Sequence, residues 1–178
     1  MEYDLEYQKY LTKVKDYGGW VLEYVPKDLR TEEVCLIAVK DFPYALKFVP
    51  DELKTKELCE LAVNDGHWAL EFVPEDLKTK ELCEKAVQKN GYQLAYVPSE
   101  LKTRELCELA VSTSGWALEF VPYELQTQEL CELAVKDCLK WIVKYELENL
   151  FEKSIPSEFH KELAEKYDIE LPDKAKGR

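Results

Sequence analysis

Six cysteines are the residues best equipped for chemistry in this 178-residue chain: Cys35, Cys59, Cys83, Cys107, Cys131 and Cys138. A thiolate can attack carbon, bind zinc or close a disulfide, depending on its neighbours. Zinc needs paired spacings such as C-x-x-C, and the sequence holds none. Cys131 and Cys138 share a helix face, but about 10 Å of helix axis separates them at 1.5 Å per residue, too far for a disulfide. A cysteine beside alanine on an apolar face is most simply a small core filler. Free buried thiols fit a reducing compartment, so a cytoplasmic setting is expected. The enzyme reading stays open because Cys59 and its equivalents fall in the first turns of their helices, where a thiol can be activated. The histidines do not help it. His67 and His160 are the only two, and neither has a Cys, Asp or Ser at a spacing that suggests a triad or a metal site. With six glycines and no Gly-rich phosphate loop, the residues predict no catalytic, cofactor or metal site and hence no enzyme.

Binding chemistry is better represented. Aromatic residues recur at Trp20, Tyr44, Trp68, Tyr92 and Trp116. Large rings at one repeated position fit a core that fills the gaps between units; the alternative is a stripe that stacks bases or peptide side chains. Base stacking is normally coupled to a basic groove, whereas the formal charge here is −12. That balance argues against direct nucleic-acid binding. Carboxylates form ladders of their own at Asp28, Glu52, Asp76, Glu100 and Glu124, and at Glu33, Glu57, Glu81, Glu105 and Glu129. Residues 55–78 carry 2 basic and 6 acidic side chains, residues 79–102 carry 4 and 3, and residues 103–126 carry 1 and 4. Most of this is a solvated face with local pairing and dipole matching; the alternative is an acidic ridge that attracts a basic partner. No stretch approaches 18 apolar residues, so no membrane span is expected. The first ten residues lack an apolar signal core.

All these ladders share one step. Pro26, Pro50, Pro74, Pro98 and Pro122 are 24 residues apart, as are Thr31, Thr55, Thr79, Thr103 and Thr127, five of the cysteines and five Ala-Val pairs starting at Ala38. That is a tandem repeat. In residues 55–78, Thr55 suits an N-cap. Leu58, Cys59, Ala62 and Val63 then make one apolar face at helical period, and Asn64-Asp65-Gly66 ends it. Trp68, Leu70, Phe72 and Val73 form a second apolar segment that Pro74 closes, because the residue before proline is pushed out of helical geometry. Each unit therefore predicts a helix of about 10 residues, a tight turn and a helix of about 7, with one further turn carrying proline at its first position. A leucine-rich repeat also fits a 24-residue period. Lys85 at a position needing buried leucine, and the mixed set Phe42, Gly66, Asn90, Ser114 and Cys138 at the asparagine position, count against it.

The expected fold is all-α: a short α-solenoid of about five 24-residue helix-turn-helix repeats over residues 18–137. An N-terminal half-repeat over 1–17 and capping helices over 138–172 close its ends, and residues 173–178 form a disordered tail. Five units at a helix spacing of about 8–10 Å would extend roughly 40–50 Å. Leu11 and Val14 fall where Cys35 and Ala38 would project. Beyond Cys131 the aromatic arrives one residue late, at Trp141. There 139–153 can run as one longer helix, and Ser157 can cap a last helix over about 158–167.

Ala69-Leu70-Glu71-Phe72, Glu75-Asp76-Leu77 and Ala62-Val63, with their equivalents in each unit, resemble the repeat family catalogued as domain of unknown function 4116. The resemblance covers about residues 18–137. It implies helical repeats and carries over no activity, since that family's pattern includes no catalytic motif. The fixed Pro, Thr and Cys depart from the looser family pattern, as recent duplication would produce.

Function then rests on surface. Repeat scaffolds hold their frame and vary their binding rim. The varied places are the inter-helix turns and the sites after each proline, which makes Phe42, Asp51, Asp65, His67, Glu71, Glu75, Asp76, Tyr123 and Glu124 the candidate partner-binding residues. The expected function is a non-enzymatic scaffold that binds another protein, one with a basic surface. The alternative is a small acidic inhibitor or nucleic-acid mimic that blocks a basic nucleic-acid-processing protein, as a phage or plasmid anti-defence protein of the anti-CRISPR kind would.

Overall fold

Threonine opens every repeat. The side-chain oxygens of Thr31, Thr55, Thr79, Thr103 and Thr127 accept the backbone N–H groups of Val34, Leu58, Leu82, Leu106 and Leu130 at 3.3–3.4 Å. Each bond satisfies one of the orphan donors of a helix start. The computed structural model describes residues 2–66, 68–141 and 144–169. Its α-helices are α1 (Glu2–Tyr17), α2 (Glu32–Asp41), α3 (Lys56–Asp65), α4 (Lys80–Lys89), α5 (Arg104–Thr113), α6 (Gln128–Trp141), α7 (Lys144–Lys153) and α8 (Ser157–Tyr167). Among the described residues there is no strand, so the leucine-rich reading is excluded and the fold is an all-α repeat solenoid. No helix among them is long and apolar enough to cross a membrane.

The second half of each unit is the short second helix expected there, wound more tightly than an α-helix. It is a short 3-10 segment: Gly19–Tyr24, Pro43–Phe48, Ala69–Phe72, Gly91–Tyr96 and Gly115–Phe120. A brief 3-10 turn follows each one, for example Asp51–Leu53 and Glu75–Leu77. The proline explains the tighter winding. Val49 precedes Pro50 and is extended at φ −71° and ψ 131°, so the segment has to finish there, with the Val49 N–H bonded to Leu46 O at 3.2 Å. Closure from i to i+3 fills a gap where an α-helix would have barely one satisfied turn. The prolines themselves sit just before the following turn in extended geometry, Pro50 at φ −56° and ψ 140°, rather than at its first position.

The chain divides into two compact units, Met1–Ala86 and Val87–Arg178, with the boundary inside α4. In the first, α1, α2 and α3 lie in succession along one side, and the 3-10 segments Gly19–Tyr24, Pro43–Phe48 and Ala69–Phe72 lie along the other. Its core is the repeated set Val34, Cys35, Ala38, Val39 and Leu58, Cys59, Ala62, Val63, met from the 3-10 side by Leu22, Leu46 and Leu70. Leu11 and Val14 of α1 are buried with them. In the second unit α5 and α6 repeat this pattern against Leu94 and Leu118. There α6 also packs against α7 and α8, and Leu150, Phe151 and Leu163 are buried.

Two details of the C-terminal expectation change. Leu139 belongs to α6, which starts at Gln128, so the helix there does not begin at 139; residues 142–143 of the expected 139–153 helix lie outside the described residues. Pro156, not Ser157, is the N-cap of α8; Ser157 is its first residue and makes no capping bond. His160, on α8, is buried, with a ring nitrogen 2.8 Å from Ile155 O and its ring edge-on to Phe151. The Trp141 ring and the 173–178 tail lie outside what the structure describes.

Candidate functional site

Three residues per turn in a 3-10 segment put positions i and i+3 in one column. Buried positions then fall at Leu46 and Val49, and Tyr44 and Lys47 share the outward column. The same spacing pairs Trp20 with Glu23; Trp68, which immediately precedes its segment, aligns in the same way with Glu71. The aromatic ladder is therefore not the core filler its regularity suggests. Trp20 is 51% exposed, Tyr44 38% and Trp68 47%. The core beneath is filled by the residues next to them, such as Val21-Leu22 and Ala45-Leu46. In the second unit the equivalent rings, Tyr92 and Trp116, are half-buried.

In the first unit the rings form a run. Trp20 Nε1 donates to Tyr17 O at 2.7 Å, and the Trp20 ring stands edge-on to Tyr24 at 6.0 Å. A Cβ built on Gly19 would lie 2.9 Å from Phe42 Cβ, which brings this group against the next rung. Phe42 and Tyr44 are 6.0 Å apart, and Tyr44 meets Phe72 edge-on at 4.9 Å. Lys47 lays its ammonium 5.7 Å from the Tyr44 centroid and 5.8 Å from that of Phe48. Exposed carboxylates, Glu23 and Glu71, occupy the Lys47 position on the rungs either side.

The sequence-predicted partner residues fall into three settings. Phe42 belongs to this ring run, and the exposed Glu71 sits beside Phe72 on the rung that Tyr44 touches. Asp65, Asp51, Glu75 and Asp76 are exposed at helix ends and 3-10 turns. Of these, Asp51 pairs with Lys54 at 2.8 Å, which holds its carboxyl below the usual aspartate value, and Glu75 pairs with the buried Lys78. Tyr123 and Glu124 are exposed in the second unit, where the Tyr123 hydroxyl donates to Glu158 at 3.1 Å and its pKa is raised by that bond. His67 lies outside the described residues.

The thiols are placed away from any such surface. All six are buried and none is in a disulfide. Burial pushes Cys35, Cys59, Cys83 and Cys107 up to about 11, and Cys131 to about 12. Their position in the first helical turns does not offset that desolvation, so at neutral pH they are thiols rather than thiolates.

Sequence reasoning missed how the repeats grip one another. Arg30 donates to three carbonyls: Val25 O at 2.8 Å, Glu23 O at 3.2 Å and, in the next repeat, Phe48 O at 2.7 Å. Lys102 reaches Phe120 O of its next repeat at 3.0 Å, and its burial lowers its pKa. Gln126, the last member of this ladder, bonds instead within its own repeat, to Leu118 O and Val121 O. At Arg30 and Lys102, what reads as charge pairing in the sequence is thus a clamp on the C-terminal carbonyls of the 3-10 segments, whereas the equivalent Lys54 and Lys78 do pair with carboxylates, Asp51 and Glu75. Two of the varied turn glycines are clamped as well. Gly19 N–H donates to Asp41 at 2.7 Å and Gly115 N–H to Asp137 at 2.9 Å. The signal was present in the sequence: each glycine is followed by a carboxylate at the same offset, just short of one full repeat.

The family model described as Domain of unknown function (DUF4116) matches residues 11–54, 31–78, 55–102 and 79–126. The chain belongs to the DUF4116 family. The DUF4116 matches that begin at 31, 55 and 79 start on successive capping threonines, and each spans two of the threonine-capped units. The family's sequence pattern thus takes in two whole repeats and the junction between them, the part held by Arg30, Lys102 and the glycines. No curated protein matches the chain, and no solved structure does.

Proposed function

We propose that this DUF4116 chain is a non-enzymatic scaffold that binds another protein and works in the cytoplasm. The observation that carries the reading is the division of labour within each repeat. The threonine caps, Ala-Val pairs, cysteines and carbonyl clamps are devoted to holding the stack. The outward column of the 3-10 segments changes from rung to rung, as Glu23, Lys47, Glu71, Ala95 and Glu119. A constant frame with a varied outer column is how repeat proteins present binding surfaces. Six buried thiols, none in a disulfide, fit a reducing compartment. Cross-linking in the native host, followed by reconstitution of the captured pair from purified components, tests it. A stoichiometric complex is expected, and only substoichiometric captures that fail to reconstitute would sink the reading.

The second reading is an acidic inhibitor of a basic nucleic-acid-processing protein. It is favoured by the exposed carboxylates that follow each proline turn, Asp28, Glu52, Asp76, Glu100 and Glu124, on a chain of charge −12. Salt separates the two. An inhibitor acting by charge mimicry loses affinity steeply as ionic strength rises.

A further inference from the structure

We propose that the outward aromatic column of the first unit is a docking surface for a cationic protein segment, whose arginine or lysine side chains seat on Trp20 and Trp68 beside Glu23 and Glu71. This rests on the scaffold reading and names the face and the partner chemistry. Three observations carry it.

The first is exposure. Tyr17, Trp20, Tyr24, Phe42, Tyr44 and Trp68 are all exposed large aromatics; Trp20 and Tyr24 form one ring group, Phe42, Tyr44 and Phe72 form a second, and the close approach of Gly19 to Phe42 sets the two groups on adjacent rungs of one face. Contiguous exposed apolar surface marks interaction sites. The second is charge. A ring face attracts a cation, and a carboxylate in the same column adds a Coulombic partner. Trp20 with Glu23 and Trp68 with Glu71 are two such pairs, on the first and third rungs. The third is the rung between them, where Lys47 replaces the carboxylate and places its own ammonium over Tyr44. The chain therefore already performs at its middle rung the contact proposed for a partner at the outer two. The charge pattern down the column is minus, plus, minus, which selects a segment with two cations separated by a neutral or acidic stretch. Base stacking is disfavoured by the same carboxylates.

Tryptophan fluorescence of the full chain, titrated with a synthetic peptide bearing two Arg-Arg pairs separated by a Ser-Glu-Ser spacer, tests it. The same peptide with Gln for Arg is the control. Saturable quenching by the Arg peptide alone is expected. Trp20→Ala and Trp68→Ala, at exposed positions, should each weaken binding about tenfold. Glu23→Gln with Glu71→Gln should weaken it and flatten its salt dependence, and Lys47→Glu should tighten it several-fold. Circular dichroism of each variant checks that the helices are retained; a tryptophan variant that unfolds is replaced by its methionine counterpart, which keeps apolar volume without a ring and should show the same loss of binding. No binding of the Arg peptide, equal binding of the Gln peptide, or quenching by single-stranded oligonucleotide instead would overturn the proposal. So would a reconstituted partner whose affinity ignores both tryptophan substitutions. That last result leaves the scaffold reading standing, while the absence of any partner defeats the scaffold reading without touching the peptide result.

Discussion

A side chain as small as a methyl group decides whether neighbouring DUF4116 repeats fit. The first residue of each 3-10 segment approaches the next repeat where its α-helix ends, and the described residues meet there as Gly19 with Phe42, Pro43 with Gly66 and Gly91 with Ser114. Each of these pairs contains one glycine, on either side of the joint. At Gly19 an added Cβ would overlap the Ala38 carbonyl oxygen, a backbone atom that cannot step aside. Gly19→Ala should therefore destabilise the protein by about 3 kcal/mol, at the upper end of overpacking costs, read by chemical denaturation. At Gly66 the built Cβ meets the Pro43 ring at 2.7 Å and the Ala62 carbonyl oxygen at 2.9 Å, and only the first of these is removed by changing Pro43. Gly66→Ala should cost about 1–2 kcal/mol in the parent and markedly less in a Pro43→Gly background, a coupling of at least about 0.5 kcal/mol in a double-mutant cycle. Additive effects would mean the pair does not share its space. The composition of such a pair is printed in the sequence, but its meaning is not, because periodicity identifies equivalent positions in successive repeats and says nothing about which unlike positions meet.

Elements in this protein are held at their ends more than along their length. The repeat helices, such as α3 with its 10 residues, are too short to be stable alone, and the threonine bond at each start is a fixed part of every unit. Thr55→Ala should cost about 1 kcal/mol, and Thr55→Ser much less; equal losses would point to the methyl group instead of the hydroxyl. The 3-10 segments have a heavier dependence at their other end. Arg30→Met removes three charge-assisted bonds to carbonyls and should cost about 2–4 kcal/mol, with Arg30→Lys milder because Lys102 already shows that an ammonium can make the cross-repeat contact. A lysine variant as damaged as the methionine one would mean the guanidinium fork itself is required. Here the sequence was a good guide to the α-helices, whose caps and apolar faces are local signals. It read the second segment as a short helix without its winding, because hydrophobic spacing over so short a stretch cannot tell a period of 3.0 from one of 3.6. The same confusion assigned Trp20, Tyr44 and Trp68 to the core. With the tighter winding, the neighbouring pairs Val21-Leu22, Ala45-Leu46 and Ala69-Leu70 are what go inside.

Within each compact unit the protein as a whole carries its thiols where ionisation opposes folding. A thiol held near 11 when folded and near 9.0 when unfolded binds its proton more tightly in the native state. Stability is then unaffected below pH 9, falls as pH rises from 9 to 11, and stops falling above that. Across that window the ionisation of each such cysteine opposes folding, and the repeated buried thiols act in the same direction. Far-ultraviolet circular dichroism against pH should show cooperative unfolding between pH 9 and 11, and Cys59→Ala should move its midpoint upward; an unchanged midpoint would mean that the thiols ionise without unfolding. The order of the repeats was the hardest property to read in advance, although every residue that fixes it was visible. Tandem stretches this alike are prone to lose a unit when their genes misalign in recombination. Removing residues 44–67 would leave a chain with an unbroken rhythm, yet Pro43 would come opposite Asn90 where it now meets Gly66. Such a deletion would be clean in frame and would still trade a joint that holds a glycine for one that holds none, so the repeats are less interchangeable than their shared rhythm suggests.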